Sequence, residues 1–221
     1  RKNMIIRKSV NLSKQTHIIA ANIDQAILII TLQSPLTTTG FIDRFLVSAK
    51  AFGVEVILFF NKVDLYDKKL LSQKENLMRE YSKIGYRCIS LSALYDNMNE
   101  VKSIVKNKNN IISGHSGSGK STLINKLLGN SNILTKEISQ RHDQGQHTTT
   151  FSELYRLDFG GTIIDTPGIK GFGLVNIDLD SLSDFFPEFL SLKEGCKFNN
   201  CRHIKEPNCK VKEALEKDQI S

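Results

Sequence analysis

Apolar positions fall along this chain in two alternating rhythms. The runs 26–32 and 54–60 are almost uninterrupted aliphatic and aromatic residues, the signature of strands buried on both faces of a parallel sheet. Between them, Phe41, Phe45, Leu46 and Ala49 recur on one side of a 3.6-residue period, which predicts a helix to about Gly53, and Thr37, Thr38 and Thr39 offer side-chain caps at its start. The alternation continues with an amphipathic helix over 67–84, a short strand over 87–91 and a short helix over 97–106. A polar turn over 106–110 follows, then a strand that opens on Ile111-Ile112 and runs into Gly114, and a helix over 120–128. Residues 130–150 are polar and aperiodic, too long for a simple connector, and therefore a candidate functional loop. Residues 151–157 and 162–165 look like paired strands turned at Gly160-Gly161. Past Gly173 the regularity fades into a short helical patch and a final charged helix over 210–217. Strands alternating with helices predict an α/β fold, a mostly parallel sheet flanked by helices.

Composition narrows the possibilities. At 221 residues and 40% hydrophobic content, the chain can build one large core plus a small appendage. No apolar run approaches the ~18 residues of a membrane helix, and the basic start is not followed by the apolar stretch of a secretory signal. A cytoplasmic protein with no membrane partner is expected. Nothing points to a homo-oligomer interface, so a monomer is expected too. A chain that opens on Arg1 rather than Met leads to the expectation of further residues upstream. The formal charge of +7 favours phosphate-rich partners. Arg1, Lys2, Arg7, Lys8 and Lys14 all precede the first acid, Asp24, making the leading segment a cationic arm.

Four segments carry recognisable chemistry. Gly114-His115-Ser116-Gly117-Ser118-Gly119-Lys120-Ser121 lies after an apolar strand and before a helix. That is the context in which a phosphate-binding loop turns its N–H groups around a β-phosphate at a helix N-terminus. Lys120 then bridges the β- and γ-phosphates, and Ser121 ligates Mg²⁺; Thr122 counts with the nucleotide-binding residues, and His115 reads as filler. Asn61-Lys62-Val63-Asp64 follows directly on the strand over 54–60, where α/β sheets place ligand residues. A carboxylate there accepts two parallel N–H bonds from a guanine edge, and adenine lacks that donor pair, so Asp64 acts as a base selector. Ser92-Ala93-Leu94 supplies a backbone N–H for the guanine carbonyl. Asp165-Thr166-Pro167-Gly168 ends the last strand, with Asp165 placed to hold Mg²⁺ through water and Gly168 to reach the γ-phosphate. The run His147-Thr148-Thr149-Thr150 offers a second hydroxyl to Mg²⁺. Thr149 is taken as the ligand, and the choice among the three threonines stays open.

Three of the four cysteines lie in one short window: Cys196, Cys201 and Cys209, with His203 between the last two. Three thiolates and an imidazole complete a tetrahedral Zn²⁺ shell with no open position, which makes the site structural, its binding energy supplying the folding energy of a short segment. Cys88, within a strand, reads as a small core residue.

The nucleotide segments resemble those of a translation-factor-type GTPase, but in a different order. Residues 61–64 and 92–94 precede the phosphate loop, where the usual arrangement puts the guanine-reading segments last. That order, with Gly145-Gln146-His147-Thr148-Thr149-Thr150 and the cysteine cluster, resembles the ribosome small subunit-dependent GTPases, circularly permuted factors of small-subunit maturation. The resemblance implies a permuted P-loop GTPase fold over 17–173 and a zinc-binding helical domain over 174–221. It implies Zn²⁺ at Cys196, Cys201, His203 and Cys209, Mg²⁺ with GTP, and GTP/GDP, the small ribosomal subunit and its rRNA as partners. The family carries an N-terminal OB-fold domain, and residues 1–16 are expected to be its basic trailing linker. Where many GTPases place a water-orienting glutamine after the Asp-Thr-Pro-Gly segment, this chain has Ile169, so intrinsic turnover of order 10⁻⁴ to 10⁻² s⁻¹ is expected. His147 is the resemblance-based candidate for the catalytic role, beside the alternative of a loop histidine that only packs. The family reads Gly-Arg-His at 145–147, and the change to Gln146 leaves open whether that residue shares the task. Two rivals stand against a GTPase stimulated by the subunit. One is a nucleotide-gated RNA-binding assembly scaffold with little turnover; the other is an ATP-dependent kinase, which Asp64 disfavours.

Overall fold

The computed structural model describes residues 4–8, 16–129, 153–166 and 177–220. The chain opens with β1 (Met4–Lys8) and β2 (Thr16–Ala21), an antiparallel pair in a segment for which the periodicity predicts no strand. Basic residues dominate the composition there and hide the isoleucine pairs at 5–6 and 18–19.

The main body runs β3 (Gln25–Ile30), α1 (Thr39–Ala51), β4 (Glu55–Phe60), α2 (Lys68–Lys83), β5 (Arg87–Ser90), α3 (Asn99–Val105), β6 (Asn109–Gly114), α4 (Lys120–Leu128), β7 (Glu153–Arg156) and β8 (Thr162–Asp165). Its six strands stand in the order β5-β4-β3-β6-β8-β7, all parallel except β7, which runs antiparallel to β8 at the edge. This is the predicted α/β architecture. Thr38 caps α1 by accepting the Phe41 N–H, and Asp67 caps α2 by accepting the Leu70 N–H at 2.8 Å.

The continuous apolar runs of β3 and β4 have the physical cause expected of them, because alternate residues enter opposite layers. Leu28, Ile30, Leu58 and Phe60 pack with Phe41, Ile42 and Phe45 of α1 and Tyr81 of α2. Ile27, Ile29, Ile57 and Phe59 pack on the other face with Val101 and Ile104 of α3 and Leu123 and Ile124 of α4. Helices therefore cover both faces.

The chain steps outward from β3 to β4 to β5, then α3 carries it back across to β6, on the far side of β3. The polar stretch that makes this return is tied down by buried amides at the opposite end of the sheet from the phosphate loop. Asn110, fully buried, donates from Nδ2 to the carbonyls of Val105, Lys108 and Thr162, each at 2.9 Å, and accepts from Gln25 Nε2 at 2.6 Å. Gln25 in turn donates to Ile104 O and accepts from Lys108 Nζ.

Beyond the sheet, a 3₁₀ segment (Leu179–Phe185), α5 (Pro187–Lys193) and α6 (Lys210–Glu216) form a small C-terminal lobe. It meets the main body through a cleft lined by Asp43, Leu46, Tyr86, Phe186 and Glu188. Among the described residues, no helix is long and apolar enough to cross a membrane. Asn110→Ala removes four hydrogen bonds that the buried carboxamide makes to Gln25, Val105, Lys108 and Thr162, and urea unfolding is expected to show a loss of about 3 kcal/mol.

Candidate nucleotide and metal sites

Parallel register brings the predicted segments to one edge of the sheet. Ile30 stands beside Phe60 and Phe60 beside Ser90, while Ile29 pairs with Gly114 and Ile112 with Asp165. The loops after β3, β4, β5, β6 and β8 therefore leave from the same side, and β3 and β6, whose connections diverge, form the switch point where α/β sheets bind ligands.

Residues 115–119 turn from β6 into α4, with Gly119 at φ 99° as the N-cap. A side chain at Gly119 would be strained by that φ and would collide with Asn61 Nδ2. Lys120 is buried, its ammonium 2.9 Å from Gly114 O and 2.8 Å from His115 O. Burial lowers its pKa, with Asp165 opposing the shift. The His115 ring packs on Phe41 at a centroid distance of 4.2 Å, so this loop residue ties the turn to α1.

Asn61 joins the two halves of the site. It is 2% exposed, donates from Nδ2 to Ser118 O at 2.8 Å, and accepts the Ala93 N–H at 2.8 Å. Its backbone carbonyl accepts the Tyr66 hydroxyl at 2.8 Å, and that oxygen accepts the Leu32 N–H at 2.7 Å. Lys62, in the left-handed region at φ 64°, reaches Ser34 O at 2.5 Å. Val63 and Asp64 lie in the 3₁₀ turn Val63–Leu65, with Asp64 exposed. In the segment 92–94, the Ser92 N–H goes to Asp96 Oδ2 and the Ala93 N–H to Asn61. Leu94 alone of the three keeps an N–H without a partner among the described residues. Lys126 of α4 adds a latch that the sequence did not announce, donating to Leu94 O at 2.6 Å and Asp96 O at 3.3 Å. A helix lysine has no local feature that marks it as a bridge, so only the packing of α4 beside this loop shows it.

Asp165 ends β8 near Lys120. Burial raises its carboxyl to about 6, Lys120 opposing the shift and Glu153 adding to it. Its Oδ1 is buried without a partner among the described residues, and Ser121 is half-buried at the start of α4. An orphaned carboxylate oxygen beside a phosphate loop fits a hydrated Mg²⁺. The other expected site residues, Gln146, His147, Thr148, Thr149, Thr150, Gly168 and Ile169, lie outside the described residues.

In the C-terminal lobe the four ligand atoms of Cys196, Cys201, His203 and Cys209 all lie within 4.8 Å of one another. Cys196 Sγ is 4.0 Å from Cys209 Sγ and 3.7 Å from His203 Nδ1, which is 3.2 Å from Cys209 Sγ. Ligand edges of ~3.5–3.8 Å follow from tetrahedral Zn–S and Zn–N bond lengths, so the cluster can hold such an ion, with Nδ1 as the histidine donor. The cysteines are free thiols, and Cys201 and Cys209 share a small core with Val211, Phe189 and Leu192. Glu206 organises the intervening loop by accepting the N–H groups of Arg202, Ile204 and Lys205, each at 2.9 Å, which hold its carboxyl down at about 2. Cys88 is half-buried in β5 and packs against the sheet core, as its strand position led one to expect.

A glycine-rich strand-to-helix loop at the switch point, tied to the Asn61 segment that precedes it in the chain, is the arrangement of a circularly permuted P-loop GTPase. Comparison with known proteins gives the same answer. The model of the RsgA GTPase family matches residues 1–175. The small ribosomal subunit biogenesis GTPase RsgA of Flavobacterium psychrophilum is 55% identical over all of this chain and 68% of its own length. RsgA 2 of Bacteroides thetaiotaomicron is 50% identical over all of this chain and 72% of its own. Among solved structures, YjeQ from Thermotoga maritima superimposes with a TM-score of 0.79 at 35% identity, covering 100% of this chain and 70% of that one. YloQ, a circularly permuted GTPase, shares the fold with a TM-score of 0.71 at 24% identity, covering 99% and 74%. The chain belongs to the RsgA GTPase family and is a GTP hydrolase.

Asn61→Ala removes the bridge and leaves Ser118 O and the Ala93 N–H unpaired, so titration with a fluorescent GDP is expected to show affinity lowered about tenfold or more. An unchanged affinity would refute the coupling. The raised carboxyl of Asp165 also makes a pH prediction for the ligand-free chain. Between 3.8, its ordinary value, and about 6, the folded state holds the extra proton, so stability falls as pH rises through that window. Thermal unfolding from pH 4 to 7 should show this slope, flattened in Asp165→Asn.

Proposed function

We propose that this chain works in maturation of the small ribosomal subunit, the task for which its relatives are named, as a cytoplasmic, monomeric factor that binds the subunit and its rRNA according to nucleotide state. Asp64 selects guanine, and Leu94 offers the free N–H for the guanine carbonyl. Residues 114–122 receive the phosphates, and Lys120 neutralises charge that develops on them during cleavage. Ser121 and, through water, Asp165 would hold Mg²⁺, with Thr149 as the further hydroxyl; the ion, when bound, screens the phosphate charge. Cys196, Cys201, His203 and Cys209 would hold one structural Zn²⁺, which supplies the cross-link that the small lobe lacks in covalent form.

What supports this reading best is the Asn61 carboxamide, which ties the phosphate loop at Ser118 to the base loop at Ala93 and so makes one site of two segments distant in the chain. Ile169 has no hydrogen-bonding group to orient water, so the resting enzyme is slow. His147, or Gln146 beside it, takes that role once the subunit orders the site. In the chain, the segment from Asp165 to Gly173 leads toward Cys196, a short covalent path by which the γ-phosphate state reaches the zinc lobe. Residues 1–16 act as a basic linker, 17–173 as the GTPase domain and 174–221 as the zinc domain.

Phosphate release measured with and without purified small subunits tests the reading. Turnover of order 10⁻⁴ to 10⁻² s⁻¹ alone, raised at least about tenfold by subunits and lost in His147→Ala, is the expected result. Unstimulated turnover would favour the scaffold alternative, and displacement of labelled GTP by ATP would overturn the base assignment.

A further inference from the structure

Strand β7 enters the sheet at the nucleotide edge with Glu153, whose partner across the antiparallel ladder is Asp165. Directly opposed residues of such a ladder project from the same face with Cβ atoms ~4.5–5.5 Å apart, and like charges so placed repel. Two acidic side chains therefore leave the same face of the sheet at the edge that carries the phosphate loop. The pairing is reinforced rather than avoided. Tyr155, two residues on and on the same face, donates its hydroxyl to Glu153 Oε2 and holds that carboxylate in place. Asp165 Oδ1 meanwhile has no partner among the described residues. Lys120 answers one of the two negative charges, and its ammonium is already engaged by Gly114 O and His115 O. The remaining charge is of the kind a hydrated divalent cation satisfies, because such an ion keeps most of its waters and offers their hydrogens to carboxylates around it.

We propose that Glu153 is a positioning residue for the magnesium–nucleotide complex, acting through the water shell of the ion beside Asp165 and making phosphate binding conditional on the cation. Without the ion, its charge opposes the phosphates; with the ion, the same charge favours the complex. The inference rests on the reading of Asp165 as a water-mediated magnesium residue.

The test is the affinity of the chain for fluorescent GDP measured in Mg²⁺ and in EDTA. Glu153→Gln keeps an oxygen for the Tyr155 hydroxyl and removes only the charge. The ratio of Kd in EDTA to Kd in Mg²⁺ should fall about tenfold in this variant, the lower end of what outer-shell partners contribute to metal affinity. A ratio equal to or larger than that of the unmodified chain overturns the proposal, since a purely structural loss would weaken both measurements alike. Tyr155→Phe, which frees the carboxylate without removing it, should lower the ratio less than Glu153→Gln; a larger fall also overturns the proposal. Asp165→Asn keeps the two readings apart. If it leaves the ratio unchanged, the assignment of Asp165 fails; if it lowers the ratio and Glu153→Gln does not, only the role of Glu153 fails.

Discussion

The site depends on one buried carboxamide. Asn61 spends an N–H on the phosphate loop and its oxygen on the base loop, so neither loop can shift without leaving a polar group unpaired in the interior, at ~1–3 kcal/mol for each. The glycine at position 119 follows from this contact, since a Cβ there would occupy the space of the Asn61 amide. Tyr66 supports Asn61 from behind, and Lys126 braces the base loop from the helix that carries the phosphate loop. The loop after β6 and the segments after β4 and β5 are thus held in one frame by polar contacts rather than by adjacency in the chain.

That frame explains how the fold tolerates its permuted order. Covalent continuity around the nucleotide edge is unnecessary when hydrogen bonds across the switch point set the geometry. The new connection lies at the other end of the sheet, where Asn110 and Gln25 satisfy the backbone groups of the return from α3 to β6. Gly161 packs so close to Lys108 there, with a φ of 96°, that a side chain would meet the Lys108 backbone. The two ends of the sheet therefore carry different burdens: one joins the chain, the other binds the ligand.

The C-terminal lobe is built differently. Its own core is small, and the Cys/His cluster, whose four ligand atoms could hold a metal ion, lies at its centre. Its contact with α1 buries acidic groups. Desolvation raises the carboxyls of Asp43 and Glu188, Asp43 receives the Tyr81 hydroxyl at 2.8 Å, and Glu188 Oε2 is buried without a partner among the described residues. An interface built this way is less tightly bound than an apolar one.

Periodicity, spacing and residue chemistry were enough to read most of this protein. The double-sided runs of β3 and β4, the caps at Thr38 and Asp67, the glycine-rich turn into α4 and the ligand set of the metal cluster all depend on local preferences that neighbouring residues express by themselves. The β1–β2 pairing did not show, because strand pairing is non-local and a basic composition masks it. Nor did Lys126, Glu206 or the opposition of Glu153 to Asp165, since each is defined by a partner on another element or by a loop's closure. Local sequence determined which elements form and which atoms are chemically suited to nucleotide and metal; only the tertiary structure decided which of those atoms meet, because register and packing bring together residues between which the chain carries no local signal.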